Sequence, residues 1–187
     1  TSDFLFGENA YIQILWGSEQ FLVQKEFFWP AFEWLLKLDS FGFEYKSNTP
    51  EGIFEKVLCP WMNFSVLETS NEKIKAAEKA FEIDPEKVWD YIYNAIDINK
   101  TSLLGEMSAP KYRTHEVSKT TTVADMNKTK RGYFNLILQH MDFSVERWKK
   151  MLQLSESLSV KSIDTIFRVL LFEVQQMSDE EIVVIKN

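Results

Sequence analysis

The chain has 187 residues, 45% of them hydrophobic, and a formal net charge of −7. This length and apolar content predict a folded chain with a proper core and argue against general disorder. The acidic balance disfavours broad binding along a phosphate backbone, because the long-range field of the protein would repel a polyanion.

Aromatic residues are unusually frequent, with 15 Phe, 6 Trp and 6 Tyr. One interpretation is a core filled with rings. The other is that part of the aromatic surplus is exposed as an interaction surface, since Trp, Tyr and Phe are enriched at protein interfaces.

The cellular compartment can be inferred from features that this sequence does not contain. Cys59 is the only cysteine, which excludes an intramolecular disulfide and a cysteine-based zinc site and suits a reducing environment. No apolar stretch approaches the roughly 18–20 residues of a membrane span. The first residues carry Asp3 and Glu8 and no basic n-region, which argues against a secretory signal. We therefore expect a cytoplasmic protein without a membrane partner.

The first 45 residues contain a helical pattern interrupted by Pro30. The stretch "AYIQILW" (10–16) is compatible with a helix or a strand, because seven residues do not separate the two periods. The next stretch, "SEQFLVQKEFFWPAFEWLLKLDSFGF", reads as helix, but proline inside a helix removes a hydrogen bond and clashes with the preceding turn. We predict a break near Trp29, with helices of about 18–28 and 30–39, and a short strand at "FEYKS" (43–47).

Three helix starts follow, each marked by local cap chemistry. Thr49 precedes Pro50, and Asp84 precedes Pro85, which predicts an N-cap followed by proline at the first helical position. Thr69 and Glu72 have the spacing of a capping box. The predicted buried stripes of the last two helices are Ile74, Ala77 and Phe81, then Val88, Tyr91, Ile92 and Ala95.

A long connection without periodicity is predicted from about residue 99 to 129, after a helix ending near Ile98 and before one starting near Lys130. The basic stretch 108–131 lies almost wholly within it, and residues 101–131 carry six basic and three acidic side chains. Long connections are usually functional or disordered. The candidate partner-binding residues are its cations: Lys111, Arg113, Lys119, Lys128, Lys130 and Arg131.

Three structures remain open for this basic stretch. It can be a mobile loop whose cations contact an acidic partner surface or phosphate, or a solvated linker without a partner. The third is a β-hairpin, "RTHEVSK–TTTVADM", because Thr and Val favour strands.

Helical periodicity returns after residue 131. The predicted buried residues of three C-terminal helices are Phe134, Ile137, Leu138 and Met141; Val145, Trp148 and Leu152 after a Ser144 cap; and Ile163, Ile166, Phe167, Leu170 and Val174. For the tail, a capping box at Ser178 and Glu181 favours a last helix, whereas the β-branched "IVVI" (182–185) favours a strand. We expect the strand.

This helical order and β-rich tail resemble a winged-helix module. The stretch "SVERWKKMLQLSESLSVKSIDTIFRVLLFEV" is similar to the C-terminal winged helix of plasmid replication initiators, over about 60 residues. The resemblance implies nucleic-acid binding. The corresponding recognition helix offers only Lys161 and Arg168, offset by Asp164 and Glu173, and winged helices also serve as protein-contact modules.

No arrangement typical of catalysis is present. The nucleotide-binding, serine-hydrolase and zinc-protease motifs are missing. The two histidines, His115 and His140, lie in different segments. A two-histidine metal site would also need carboxylates, and Asp142 and Glu146 supply them near His140. Cys59 lies among apolar residues, which indicates a small core residue rather than a nucleophile. We expect no enzyme activity, no cofactor and no metal.

Together these observations predict a mainly α fold, with six to eight helices around an aromatic-rich core, little β-structure and a winged-helix-like C-terminal module. The expected regions are 1–98, a loop at 99–129, and 130–187. The expected function is binding or regulation through macromolecular contacts, with a protein partner or self-association. Inhibition of a basic, nucleic-acid-binding partner by an acidic face is one version. The alternative is a nucleic-acid-binding protein of the replication-initiator type.

Overall fold

The computed structural model describes residues 8–40, 49–97, 121–141, 144–154 and 160–176. These residues are mainly helical and include no strand, so the predicted mainly α fold is confirmed. The eight helices of the described residues are α1 (Glu8–Phe21), α2 (Phe28–Ser40), α3 (Pro50–Val57), α4 (Ser70–Ile83), α5 (Pro85–Ile96), α6 (Val123–Gln139), α7 (Val145–Leu154) and α8 (Val160–Gln176).

The predicted N-caps of α3, α4 and α5 are confirmed. Thr49 Oγ1 accepts a hydrogen bond from the Gly52 N–H at 3.2 Å, ahead of Pro50. In the capping box of α4, Thr69 Oγ1 accepts from the Glu72 N–H and Glu72 Oε2 accepts from the Thr69 N–H. The Asp84 carboxylate accepts from the Lys87 N–H at 3.2 Å. Each cap satisfies amides that the helix itself leaves unpaired.

The break between the first two helices is confirmed, but its predicted position is wrong. No helix spans 18–28: α1 ends at Phe21, and residues 22–27 form turns. Pro30 is the third residue of α2, within the first turn, where a missing N–H leaves no bond unmade. The turn lets Leu22 and Val23 enter the core, and the Leu22 carbonyl accepts from the Val66 N–H at 3.2 Å.

Two ambiguous N-terminal segments have different outcomes. The stretch 10–16 is helical, so the strand alternative is wrong for it. The strand predicted at 43–47 lies outside the described residues.

The start of α6 corrects the predicted long connection. This helix begins at Val123 rather than near Lys130, and residues 123–126 of the second arm of the proposed hairpin are therefore helical. Thr122 Oγ1 accepts from the Asp125 N–H at 3.1 Å, and Asp125 Oδ2 accepts from the Thr122 N–H at 3.3 Å. This capping box uses Asp in place of the usual Glu or Gln. Residues 98–120 lie outside the described ranges.

The aromatic-rich core is confirmed, and rings connect its layers. Phe32 contacts Phe28 at 5.4 Å and Phe54 at 5.1 Å between ring centroids, and Phe54 stacks on Tyr91 at 5.7 Å. These contacts join α2, α3 and α5. The fully buried Trp89 of α5 donates its indole N–H to the Ile137 carbonyl of α6 at 3.1 Å.

Helix α7 contacts α5 through the cations Arg147 and Lys150, and it buries a ring of its own. Trp148 is buried, as predicted, and Ser144 Oγ lies 3.5 Å from the Arg147 N–H that it caps. The Arg147 guanidinium lies 5.0 Å from the Trp89 ring centroid and pairs with Glu86 at 2.8 Å. Cation–π contacts of this kind favour a desolvated, ordered position for arginine.

The predicted core face of α8 is wrong at one position. Ile166 is buried, and Val169 and Leu170 pack partly buried against the core, but Phe167 is 48% exposed. Successive helix residues point about 100° apart, so α8 buries Ile166 and turns Phe167 to solvent.

The winged-helix module is not confirmed. The tail that would form the wing, 177–187, lies outside the described residues, as do the side chains of Lys161 and Val174. The division of the chain into three regions also stays a prediction.

Close packing of α4 against α6 depends on Gly132. A Cβ atom at this position would lie 2.5 Å from Ile74 Cγ1 and closer still to Cδ1. We therefore expect Gly132→Leu to lower the free energy of unfolding by about 1–3 kcal/mol through overpacking, although leucine is the better helix former. Urea denaturation measures the loss.

A double-mutant cycle with Ile74→Ala tests the cause. Truncating Ile74 removes the atoms in conflict and leaves its Cβ at an ordinary 3.6 Å. The double variant should lose less stability than the sum of the two single variants. Strict additivity would show that Ile74 does not limit the approach of the two helices.

Candidate interaction surface

Helix α6 separates the predicted basic residues that the structure describes. Lys128 and Arg131 are exposed and lie three residues apart on one face. Lys130 is partly buried, with its Nζ atom 5.5 Å from the ring centroid of Trp61. Burial lowers the pKa of Lys130, against the smaller opposing effects of Cys59 and Asp97. Two of the six candidates thus share a solvent face.

The remaining candidates, Lys111, Arg113 and Lys119, lie outside the described residues. Partner binding by the six cations stays a prediction.

Beneath α6, the segment 58–63 is held by buried polar side chains. Lys73 is 2% exposed, and its Nζ donates to the carbonyl oxygens of Cys59 at 2.8 Å and Met62 at 2.5 Å. The fully buried Tyr133 hydroxyl donates to the Leu58 carbonyl at 2.8 Å. Both side chains satisfy backbone acceptors that the loop would otherwise bury unpaired. Their role here is structural.

Burial also shifts the pKa values of the titratable groups in this cluster. Desolvation lowers the pKa of Lys73 to about 8 and raises that of Tyr133 well above its ordinary value. Desolvation is likewise the main reason why the pKa of the Cys59 thiol is raised. Cys59 is buried, so its prediction as a small core residue is confirmed. A thiol held protonated is a poor nucleophile.

Within the described residues, the candidate metal ligands near His140 do not form a metal site. His140 stacks on Phe81, with ring centroids 4.1 Å apart. Across the described ranges there is no group of three or more His, Cys, Asp or Glu side chains that could hold a metal. His115 and Asp142 lie outside those ranges.

An exposed apolar surface lies on α1. Ile14 is 43% exposed and Phe21 is 46% exposed, and they occupy one helix face with the exposed Gly17 between them. Trp16 is also 46% exposed, but it points about 100° away from Gly17 around the helix and lies outside this face. From residue 9 to 18 the chain contains no charged residue, which is unusual for a solvent-exposed helix.

The same surface continues across the turn onto α2. The rings of Phe21 and Phe27 meet edge to face, with centroids 5.5 Å apart. Phe27, Pro30 and Trp34 then follow at i, i+3 and i+7, all of them exposed. We call this surface the α1–α2 aromatic face, formed by Ile14, Gly17, Phe21, Phe27, Pro30 and Trp34.

The size of the α1–α2 aromatic face distinguishes it from scattered surface apolar residues. Phe21, Phe27 and Trp34 are each 46% exposed. Each such ring leaves on the order of 100 Å² in water, so the three together reach about 300 Å². Contiguous apolar patches of this size on soluble proteins often serve binding.

Sequence reasoning allowed for exposed aromatics but did not locate them. The signal that could have located the α1 part of the face is the uncharged run at 9–18. Within the described helices, none combines the length and the apolar character that crossing a membrane requires.

Comparison of the chain with protein-family models, with curated proteins and with solved structures finds no match in any of the three.

Lys73 should make stability depend on pH. Its pKa in the folded protein, about 8, lies below its ordinary value of 10.5, so the unfolded chain binds the proton more tightly. Below pH 8 the charged amine is present in both states and folding bears the full desolvation penalty. Between pH 8 and 10.5 only the unfolded state keeps the proton, and the free energy of unfolding contributed by Lys73 rises with pH, by at most about 1.4 kcal/mol per pH unit.

Comparison of the wild type with Lys73→Met isolates this effect. The difference in unfolding free energy, wild type minus variant, should increase between pH 7.5 and 9.5 in chemical denaturation. The raised pKa values of Cys59 and Tyr133 act in the opposite direction at alkaline pH, and both groups are present in the two proteins. Repeating the pair with Cys59→Ala removes the thiol. Parallel pH profiles would contradict a lowered Lys73 pKa.

Proposed function

We propose that this protein is a non-enzymatic binding protein and that the α1–α2 aromatic face is its protein-contact surface. The observation that carries the proposal is the joined exposure of Phe21, Phe27 and Trp34 beside a helix face without charge. Interface cores are enriched in aromatic residues and depleted of charged ones.

Energetics support the same proposal. Full burial of a phenylalanine side chain stabilises by roughly 1.5–3 kcal/mol, so a ring left half exposed forgoes on the order of 1 kcal/mol. Neither Phe27 nor Trp34 belongs to the buried core cluster. A partner that covers them recovers the forgone free energy as binding, and buried aromatic anchors commonly dominate affinity.

The polar groups of the described residues support a non-enzymatic role. Lys73 and Tyr133 hold backbone carbonyls, and Asp84 caps α5. Glu86 pairs with Arg147 and Asp90 pairs with Lys150, and these ion pairs fasten α7 to α5. Each group is engaged in maintaining the fold.

Nucleic-acid binding is the second candidate, and the solvent face of α6 favours it. Lys128 and Arg131 are exposed there, with Asn127 and Asn135 beside them. The outer face of α8 counts against it, because Phe167, Leu171 and Phe172 are exposed and Arg168 pairs with Asp164 at 2.8 Å. A helix that reads DNA presents donors to phosphates and base edges instead. Inhibition through an acidic surface also remains a proposal.

Affinity capture from the protein's native cell extract tests the function. The tagged wild type is compared with a double variant of the aromatic face, Phe27→Gln/Trp34→Gln. The matched control is Lys128→Gln/Arg131→Gln on α6. We expect a protein that the wild type and the control retain equally and that the face variant loses at least about tenfold, as the removal of two hot-spot rings implies.

Two other outcomes would reject the proposal. In the first, only the α6 control loses capture, and the wild type shows a raised 260/280 absorbance ratio that nuclease treatment abolishes. That result would indicate nucleic-acid binding through α6 instead. Capture that both variants leave unchanged would show that the aromatic face is not a contact surface. A melting temperature common to all three proteins establishes that the variants are folded.

A further inference from the structure

We propose that the partner on the α1–α2 aromatic face is a second copy of this chain, with the α1 helices of the two protomers packed across Gly17. This inference rests on the proposed function, since it names the occupant of the same surface. Shape, charge and area each support a self-complementary contact.

The shape of α1 provides both halves of such a contact. A Cβ atom added at Gly17 would meet nothing within 4 Å, so the helix surface has a notch there. Ile14 and Phe21 are exposed on either side, three residues before the notch and four residues after it. A two-fold axis at Gly17 therefore places Ile14 of one copy beside the partner's Phe21, and the reverse pair follows by symmetry. The glycines allow the two backbones to approach closely.

The charge distribution favours a copy of the same chain over a different partner. The protein has a net charge of −7, so most surfaces of two copies repel one another. Between Tyr11 and Phe21 the only charged residue is Glu19, which pairs with Lys56 at 3.0 Å. A different protein that binds an acidic partner would be expected to present basic residues that complement acidic residues in the contact surface. Between Tyr11 and Phe21 the α1 surface offers only the mutually neutralised Glu19–Lys56 pair, and two copies can join there with little repulsion between like charges.

The exposed area approaches the lower limit of a stable dimer interface. Stable interfaces bury about 600–1,000 Å² on each partner. The large exposed side chains of the α1–α2 aromatic face are Ile14, Phe21, Phe27 and Trp34. At on the order of 100 Å² each they supply about two thirds of the lower limit, and flanking glutamines supply polar rim. We therefore expect a reversible dimer of micromolar affinity.

Disulfide trapping tests the two-fold contact directly. Gly17→Cys places a thiol beside the proposed axis, where the two Cα atoms come within the roughly 4.4–6.8 Å that a disulfide spans. The native Cys59 is buried and does not compete. The control is Asn135→Cys, an exposed position on α6. Under mild oxidation we expect the Gly17→Cys protein to form a covalent dimer at least about tenfold faster than the control, because effective concentration governs the rate.

Sedimentation velocity over a concentration series that brackets the micromolar range measures the unlinked dimer. Gly17→Arg fills the notch and adds a charge to each copy, so this variant should remain monomeric. Asn135→Arg adds the same charge on α6 and should dimerise like the wild type. A wild-type dimer that Gly17→Arg leaves intact, or equal cross-linking of the two cysteine variants, would overturn the inference.

The remaining outcomes separate the inference from the proposed function. A monomeric wild type whose aromatic face still captures another protein would overturn only the inference that the partner is a second copy of this chain. A monomeric wild type without face-dependent capture would overturn both. Binding to phosphatidylcholine–phosphatidylserine vesicles that Gly17→Arg abolishes, with no dimer, would likewise overturn both by assigning the face to a lipid surface.

Discussion

The burial of Trp89 between α5 and α6 is the contact on which much of the packing depends. Its ring is fully buried, and its indole N–H donates to the Ile137 carbonyl of α6. Tyr93 stacks on the same ring at 5.5 Å, and Arg147 of α7 lies over it. Lys150 of α7 also lies over it, at 5.8 Å from the ring centroid. One side chain thus joins three helices, through a large apolar area, one hydrogen bond and two cation–π contacts.

A second constraint is the buried ammonium group of Lys73 on α4, which holds the segment 58–63. Burying Lys73 is unfavourable in itself, as its lowered pKa shows, and two carbonyl acceptors offset part of that penalty. Tyr133 of α6 donates a third hydrogen bond to the same segment. The reactive side chains of this region are therefore used to satisfy backbone groups, which is why the most chemically suggestive cluster of the molecule has a structural explanation.

The α1–α2 aromatic face follows the opposite logic. In the core, each ring is covered by neighbouring helices, whereas Phe21, Phe27 and Trp34 remain near half exposed. Their exposure is compatible with folding because α1 and α2 already bury other residues, including Leu15, Phe28 and Leu35, on their inner faces. The stability of the fold and the availability of a contact surface are thus supplied by opposite faces of the same two helices.

Local signals in the sequence determined the helix starts at Thr49, Thr69 and Asp84, because a cap is a hydrogen bond between residues three apart and needs no distant partner. The start of α6 was missed because Asp125 is a less usual residue for that bond. Only tertiary packing decided that Ile166 rather than Phe167 is buried. Tertiary packing also decided that Lys130 lies against Trp61, whereas Lys128 and Arg131 face solvent. Periodicity shows which residues share a helix face, but the face that is covered depends on neighbours far away in the chain.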